Sequence, residues 1–137
     1  MKLNAFILAT LLISGLTTSL PAKAQADDFA GEYIMKGRGD AKNDTNYSGS
    51  CTIKNETKGY DVSCLNTDTD HTYVGKGLAA GNTLALVIGD RLVGDHGQVF
   101  EGEYLVIYTR AENGTLVGRW VDAQSGHKGN ETLTPKK

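Results

Sequence analysis

At 137 residues, with two cysteines, two prolines and seventeen glycines, the chain is long enough for one domain with a modest core and too short for two. Its formal net charge is −2, and no basic stripe or cluster interrupts it. That balance argues against nucleic acid and anionic membrane surfaces as partners.

The N-terminus has the three parts of a secretory signal. Lys2 supplies a positive start, residues 5–16 are an almost unbroken apolar run, and Ala22-Lys23-Ala24 followed by Ala24-Gln25-Ala26 offers small residues to a signal peptidase. Residues 1–26 are therefore expected to be a signal peptide, cleaved after Ala24 or Ala26, with residues 27–137 as a single mature domain. The apolar run is about a dozen residues, short of the roughly 20 that cross a bilayer. No cysteine follows it to carry a lipid, and no second hydrophobic segment follows. The expected product is periplasmic or secreted, neither a lipoprotein nor membrane-spanning. Loss of Lys2 and Lys23 leaves 12 basic and 16 acidic residues, a net charge of −4 with histidine neutral.

Beyond the signal no segment holds a helical period. Short alternating runs are separated by Gly, Asn and Asp clusters, the pattern of an all-β sandwich or barrel. Eight strands are predicted, at 31–37, 47–55, 59–65, 71–79, 83–89, 103–110, 115–122 and 129–133. A polar turn fills 38–46, and one long connection runs from 90 to 102. Ala80-Gly81-Asn82 and Glu112-Asn113-Gly114 are hairpin connectors, Asn-Gly being the strongest short signal of that kind. With every link but one short, neighbours in sequence should pair, which makes an antiparallel meander.

The cysteines test this layout. An even pair in an exported chain is expected to be a disulfide. If Asn55 pairs with Tyr60 around a four-residue turn, Ile53 opposes Val62 and Cys51 opposes Cys64. Tyr47, Gly49, Cys51 and Ile53 then share one face with Tyr60, Val62 and Cys64, while Ser48, Ser50, Thr52, Lys54, Asp61 and Ser63 take the other. Aromatic and glycine also recur two residues apart, as in Tyr47-Ser48-Gly49, Tyr73-Val74-Gly75 and Gly118-Arg119-Trp120. Glycine lets a sheet bend while a ring covers the gap. Eight short meander strands with such kinks predict a closed up-and-down barrel.

Read together, Gly31-x-Tyr33, Tyr47-x-Gly49-x-x-x-Ile53, Gly59-Tyr60-x-Val62, Tyr73-x-Gly75-x-Gly77, Leu84-x-Leu86, Leu116-x-Gly118-x-Trp120 and Glu131-x-Leu133-x-Pro135 resemble a set of small exported proteobacterial barrel proteins. They are also similar to the avidin and lipocalin class of calycin-like barrels. The resemblance spans nearly all of the mature chain and implies architecture. It implies no binding residues, because Trp120 is the only tryptophan and an avidin-type biotin box needs more than one.

Three groups of residues are candidates for function. Asp90, Arg91, Asp95, His96 and Phe100 lie in the long 90–102 connection, expected to be a lid or partner-contact loop at the barrel mouth, since long loops in compact domains tend to carry binding groups. The plainer alternative is that Val99 and Phe100 begin the next strand. Tyr33, Tyr47, Tyr60, Tyr73, Tyr104, Tyr108 and Trp120 fall mostly on the inferred inward face, either lining a pocket for an apolar or flat ligand or, as expected for short strands, filling the barrel. Arg38-Gly39-Asp40 forms an Arg-Gly-Asp tripeptide in a predicted exposed turn, a candidate for host adhesion.

Catalytic and metal sites are not expected. No His-x-His, His-x-x-x-His or Glu-x-x-His spacing occurs, and no nucleophile elbow. Ser125 and His127 read as part of a turn, and no charged cluster is placed on the inward face. No cofactor is implied. The leading expectation is a non-enzymatic binding or interaction protein of the cell envelope, presenting one barrel end to a small ligand or protein partner. An inhibitor of an exported enzyme such as lysozyme is the alternative, an acidic barrel suiting a basic target. Adhesion through Arg38, Gly39 and Asp40 is the weaker one.

Overall fold

The computed structural model describes residues 28–94 and 97–137. The expected signal peptide lies outside these residues, as do Asp95 and His96 of the 90–102 connection. Eight strands follow in order: β1 (Gly31–Gly39), β2 (Asn46–Glu56), β3 (Gly59–Asn66), β4 (His71–Ala80), β5 (Thr83–Gly94), β6 (Gly97–Arg110), β7 (Leu116–Asp122) and β8 (Lys128–Pro135). Each pairs antiparallel with the next, and β8 pairs back onto β1, so the sheet closes into the expected meander barrel. Closure leaves no unpaired edge along the barrel wall.

The β2–β3 register is the one that period 2 and the cysteines require. Asn55 faces Tyr60, Ile53 faces Val62, and Cys51 faces Cys64, to which it is disulfide-bonded. The turn is tighter than expected: Glu56 and Gly59 also pair, which leaves Thr57 and Lys58 to make it. The inward positions then follow two by two: Tyr33 and Met35, Cys51 and Ile53, Val62 and Cys64, Leu84, Leu86 and Ile88, Val106 and Tyr108 are all buried.

Glycines seat the large rings. Gly37 lies opposite Tyr47, Gly118 opposite Tyr108, and Gly129 opposite Trp120. At each glycine an added Cβ would overlap the facing ring. The ring lies flat over the bare backbone and closes the curve.

One barrel end is plugged. Phe29, just ahead of β1, is fully buried and meets Tyr60 edge-on with ring centres 5.9 Å apart. The Tyr33 hydroxyl donates to the Phe29 carbonyl at 2.8 Å. The Arg110 guanidinium lies 4.2 Å from the Phe29 ring centre, and its Nη2 donates to the Asp28 carbonyl at 2.6 Å.

Two expectations change. The 90–102 stretch is not a loop: it is the paired continuation of β5 and β6, with Asp90 facing Glu101, Arg91 facing Phe100 and Gly94 facing Gly97. The plainer alternative, that Val99 and Phe100 belong to the next strand, is the one that holds. The physical reason is local. Val93, Val99 and Phe100 favour a strand, and the pairing continues out to Gly94 opposite Gly97. The register shifts between Ile88 and Asp90, so Gly89 is an irregularity in the β5–β6 ladder.

The second change concerns Arg38-Gly39-Asp40: Arg38 and Asp40 are exposed as expected, but the tripeptide is mostly strand and not a turn. Arg38 and Gly39 lie in β1, facing Asn130 and Gly129 of β8. Only Asp40 enters the turn, where its carboxylate accepts from Arg119 at 2.7 Å and Asn130 at 2.9 Å. Arg38 Nε donates to the Asp44 carbonyl at 3.2 Å.

Candidate functional site

Alternate strand ends place four connections at the end opposite Phe29: the turns at 40–45, 67–70 and 123–127, and the prolonged β5–β6 hairpin. Here the barrel is not filled. A cavity of about 270 Å³ opens between the strands, walled by Tyr47, Tyr73, Tyr104 and Trp120, with Met35, Ile88 and Val106 among its apolar lining.

The rings form an arc. Tyr73 and Tyr104 meet edge-on with centres 5.7 Å apart, and Tyr104 meets Trp120 edge-on at 5.8 Å. Trp120 stacks on His127 at 5.5 Å. His127 Nε2 lies 2.9 Å from Asp44 Oδ2, which also accepts the Ala41 N–H at 2.8 Å. The rim of the mouth is thereby tied across the β1–β2 and β7–β8 turns. Ser125 Oγ accepts the His127 backbone N–H at 3.1 Å, in keeping with a turn. The Trp120 Nε1–H is buried without a well-formed hydrogen bond.

The cavity also holds a carboxylate. Glu131 of β8 is 8% exposed, points inward and lines the cavity. Its Oε2 accepts from the Tyr47 hydroxyl at 2.7 Å, and its Oε1 accepts from the Tyr108 hydroxyl. Burial, and then the Glu131 charge, raise both tyrosines well above their ordinary pKa, so both remain hydrogen-bond donors. Burial likewise raises Glu131, while the two hydroxyls pull it back down. Glu131 makes no ion pair among the described residues.

That raised value has a consequence for stability. Over a range of pH the folded chain holds a proton that the unfolded chain has released. Stability therefore falls as pH rises from the ordinary carboxylate range through Glu131's raised value. Asp61, held down first by its hydrogen bond from Lys76, and Asp122, held down first by the backbone of Ser125, act with the opposite sign at lower pH. Urea midpoints measured at increasing pH from the ordinary carboxylate range upward should decline in the wild type and flatten in Glu131→Gln. Equal slopes in the two would contradict the raised value.

The seven candidate rings divide by depth. Tyr33 and Tyr60 hold the Phe29 plug, and Tyr108 is fully buried beneath Glu131. Tyr47, Tyr73, Tyr104 and Trp120 stand at the mouth. The barrel is thus filled at one end and open at the other, where the four rings line a cavity instead of filling it. Glu131, Asp44 and His127 were not among the candidates. For Glu131 the signal was present: in Gly129-x-Glu131-x-Leu133 it shares the inward phase with Leu133, so a charge sat at a core position. Of the loop candidates, Asp90, Arg91 and Phe100 lie on the hairpin arms. Among the described residues, no three His, Cys, Asp or Glu side chains converge as metal ligands.

The wall can be tested through Gly129. A side chain there would overlap the Trp120 indole and the Arg38 carbonyl. Gly129→Val is expected to displace the indole and cost about 1 to 3 kcal/mol, the usual range for overpacking. Tryptophan emission should shift to the red, since Trp120 is the only tryptophan. Unchanged emission would show that the ring does not lie against Gly129.

No protein-family model matches the chain, and no curated protein is found to be similar to it.

Proposed function

We propose that this chain is an exported, non-enzymatic binding protein of the cell envelope, and that its barrel mouth takes a small ligand. The observation that carries the reading is the asymmetry of the barrel: Phe29 seals one end, and the other opens on an aromatic cavity of about 270 Å³. An eight-stranded barrel has room inside for side chains or for one small ligand. Concave sites with apolar walls and a few placed polar groups are the common form of a ligand site. The signal-like N-terminus and the Cys51–Cys64 disulfide fit an oxidising compartment outside the cytoplasm. The polar groups at the cavity suit orientation rather than turnover, since each Glu131 oxygen is already held by a tyrosine hydroxyl.

The test is a thermal-shift panel of small molecules on wild type and on Val106→Phe, which adds bulk to the cavity lining. At about 100 times its Kd a ligand adds about 2.7 kcal/mol to the unfolding free energy. At least one compound class should stabilise the wild type saturably and leave Val106→Phe unmoved. A panel that shifts both proteins alike, or neither, contradicts the reading.

One observation favours a second use of the same end. Among the described residues, no strand pairs with the β5–β6 hairpin beyond the Tyr73–Asp90 and Tyr104–Asp122 pairs, and the Glu103 carbonyl accepts the Ala123 N–H of the β7–β8 turn. A hairpin with free edges can be gripped by a protein partner. An inhibitor of an exported basic enzyme such as lysozyme would use it so. Loss of lysozyme activity on mixing, abolished when residues 90–100 are replaced by a short Gly/Ser link, would support this reading. Undisturbed lysozyme removes it.

A further inference from the structure

We propose that the mouth cavity selects small organic cations, with Glu131 as the counter-charge and the rings of Tyr47, Tyr73, Tyr104 and Trp120 as the wall. This rests on the binding reading above and names its ligand class: an ammonium or amidinium group carried on a compact apolar or flat body.

Charge is the first argument. Glu131 is 8% exposed and lines the cavity, yet its hydrogen-bond partners are two neutral hydroxyls. A buried carboxylate without an opposite charge is costly, and such groups are ordinarily paired. Each carboxylate oxygen accepts more than one hydrogen bond, so the tyrosines leave acceptor capacity for a third donor. The space from which that donor would come is the cavity itself.

The second argument is the composition of the lining. No lysine or arginine lines it among the described residues. Its other ionisable side chains, apart from the tyrosines, are Asp44 and His127 at the rim, and these two pair with each other at 2.9 Å. Among the described lining residues, a carboxylate or phosphate ligand would meet Glu131 with no lysine or arginine to offset the repulsion. A cation meets the opposite arrangement.

The rings supply the third. Cations are attracted to the faces of Trp and Tyr, more strongly where water is excluded. Tyr73, Tyr104 and Trp120 are turned edge to face in succession, at 86° and 81°, so the arc presents faces as well as edges. A quaternary ammonium, which has no N–H to donate, uses the faces and the Glu131 charge alone. A primary ammonium adds hydrogen bonds to the carboxylate.

Benzyltrimethylammonium is the probe, with benzyl alcohol as its neutral counterpart and benzoate as the anion. Binding is followed by calorimetry and by the emission of Trp120, at several pH values from mildly acidic to mildly alkaline. The cation should bind saturably and about tenfold or more tighter than either counterpart. Glu131→Gln should lose about that factor for the cation and leave benzyl alcohol unchanged. Tyr104→Leu, which keeps apolar bulk but removes a ring face, should weaken the cation several-fold and spare the alcohol, and it stands in if the Gln variant does not fold. Should the alcohol or benzoate bind as tightly as the cation, or should both variants bind the cation like wild type, the cation inference falls while the binding reading survives. If none of the three probes gives heat or moves Trp120, both fall.

Discussion

Phe29→Ala is expected to cost about 3 to 5 kcal/mol of unfolding free energy, the range for removing a fully buried aromatic ring. The residue lies ahead of β1 and contributes nothing to the sheet. Yet it is fully buried and held by contacts from three strands: Tyr33 of β1, Tyr60 of β3 and Arg110 of β6. Its removal costs more than its own transfer from water. Arg110 loses the ring beneath it, and the plugged end of the barrel opens onto the core. A domain of this size has only about 5 to 15 kcal/mol in total, so the variant should unfold at markedly lower urea. A loss under about 1 kcal/mol would mean that the segment does not plug the barrel. The cleavage predicted after Ala24 or Ala26 would leave Phe29 with the mature domain.

Opening the Cys51–Cys64 bridge should cost about 3 kcal/mol in the chain-entropy account, which follows the length of the closed loop. The two cysteines are 13 residues apart, and both are buried on the inward face. The bridge therefore acts mainly by restricting the unfolded chain across the β2–β3 hairpin. Urea unfolding with and without reductant measures it. The reduced protein should keep its β-sheet circular dichroism in water while its midpoint falls. Coincident curves would show that the bridge does not limit the unfolded state, and loss of all structure on reduction would show that it holds more than one hairpin.

Much of this architecture can be read in the residues, and the reasons are specific. Strand positions follow from period 2 broken by Gly, Asn and Asp. The β2–β3 register follows from one extra constraint, that Cys51 must reach Cys64. The β5–β6 hairpin is harder, because Asp90, Asp95 and three glycines interrupt the alternation, and glycines in an irregular strand look like glycines in a loop. Arg38-Gly39-Asp40 shows the opposite hazard. Its glycine suggested a turn, but Gly39 lies in β1, where a Cβ would overlap the Asp44 carboxylate. The division of the rings between plug, floor and mouth depends on where each residue lies along the barrel axis. Strand tilt and stagger set that, and the side-chain period does not carry it. Glu131 is the opposite case: its inward phase is legible from its place two residues before Leu133.

The central claim is that the mouth holds a site able to take a ligand. Nuclear magnetic resonance tests it most directly, through the methyl signals of Met35, Ile88 and Val106 and the single indole N–H of Trp120, titrated with a library of small aromatic cations and their neutral counterparts. The account predicts saturable shifts concentrated on those four residues, with Phe29 and the opposite end unmoved. Fragments that leave all four signals in place, or that perturb only the outer face, would contradict it.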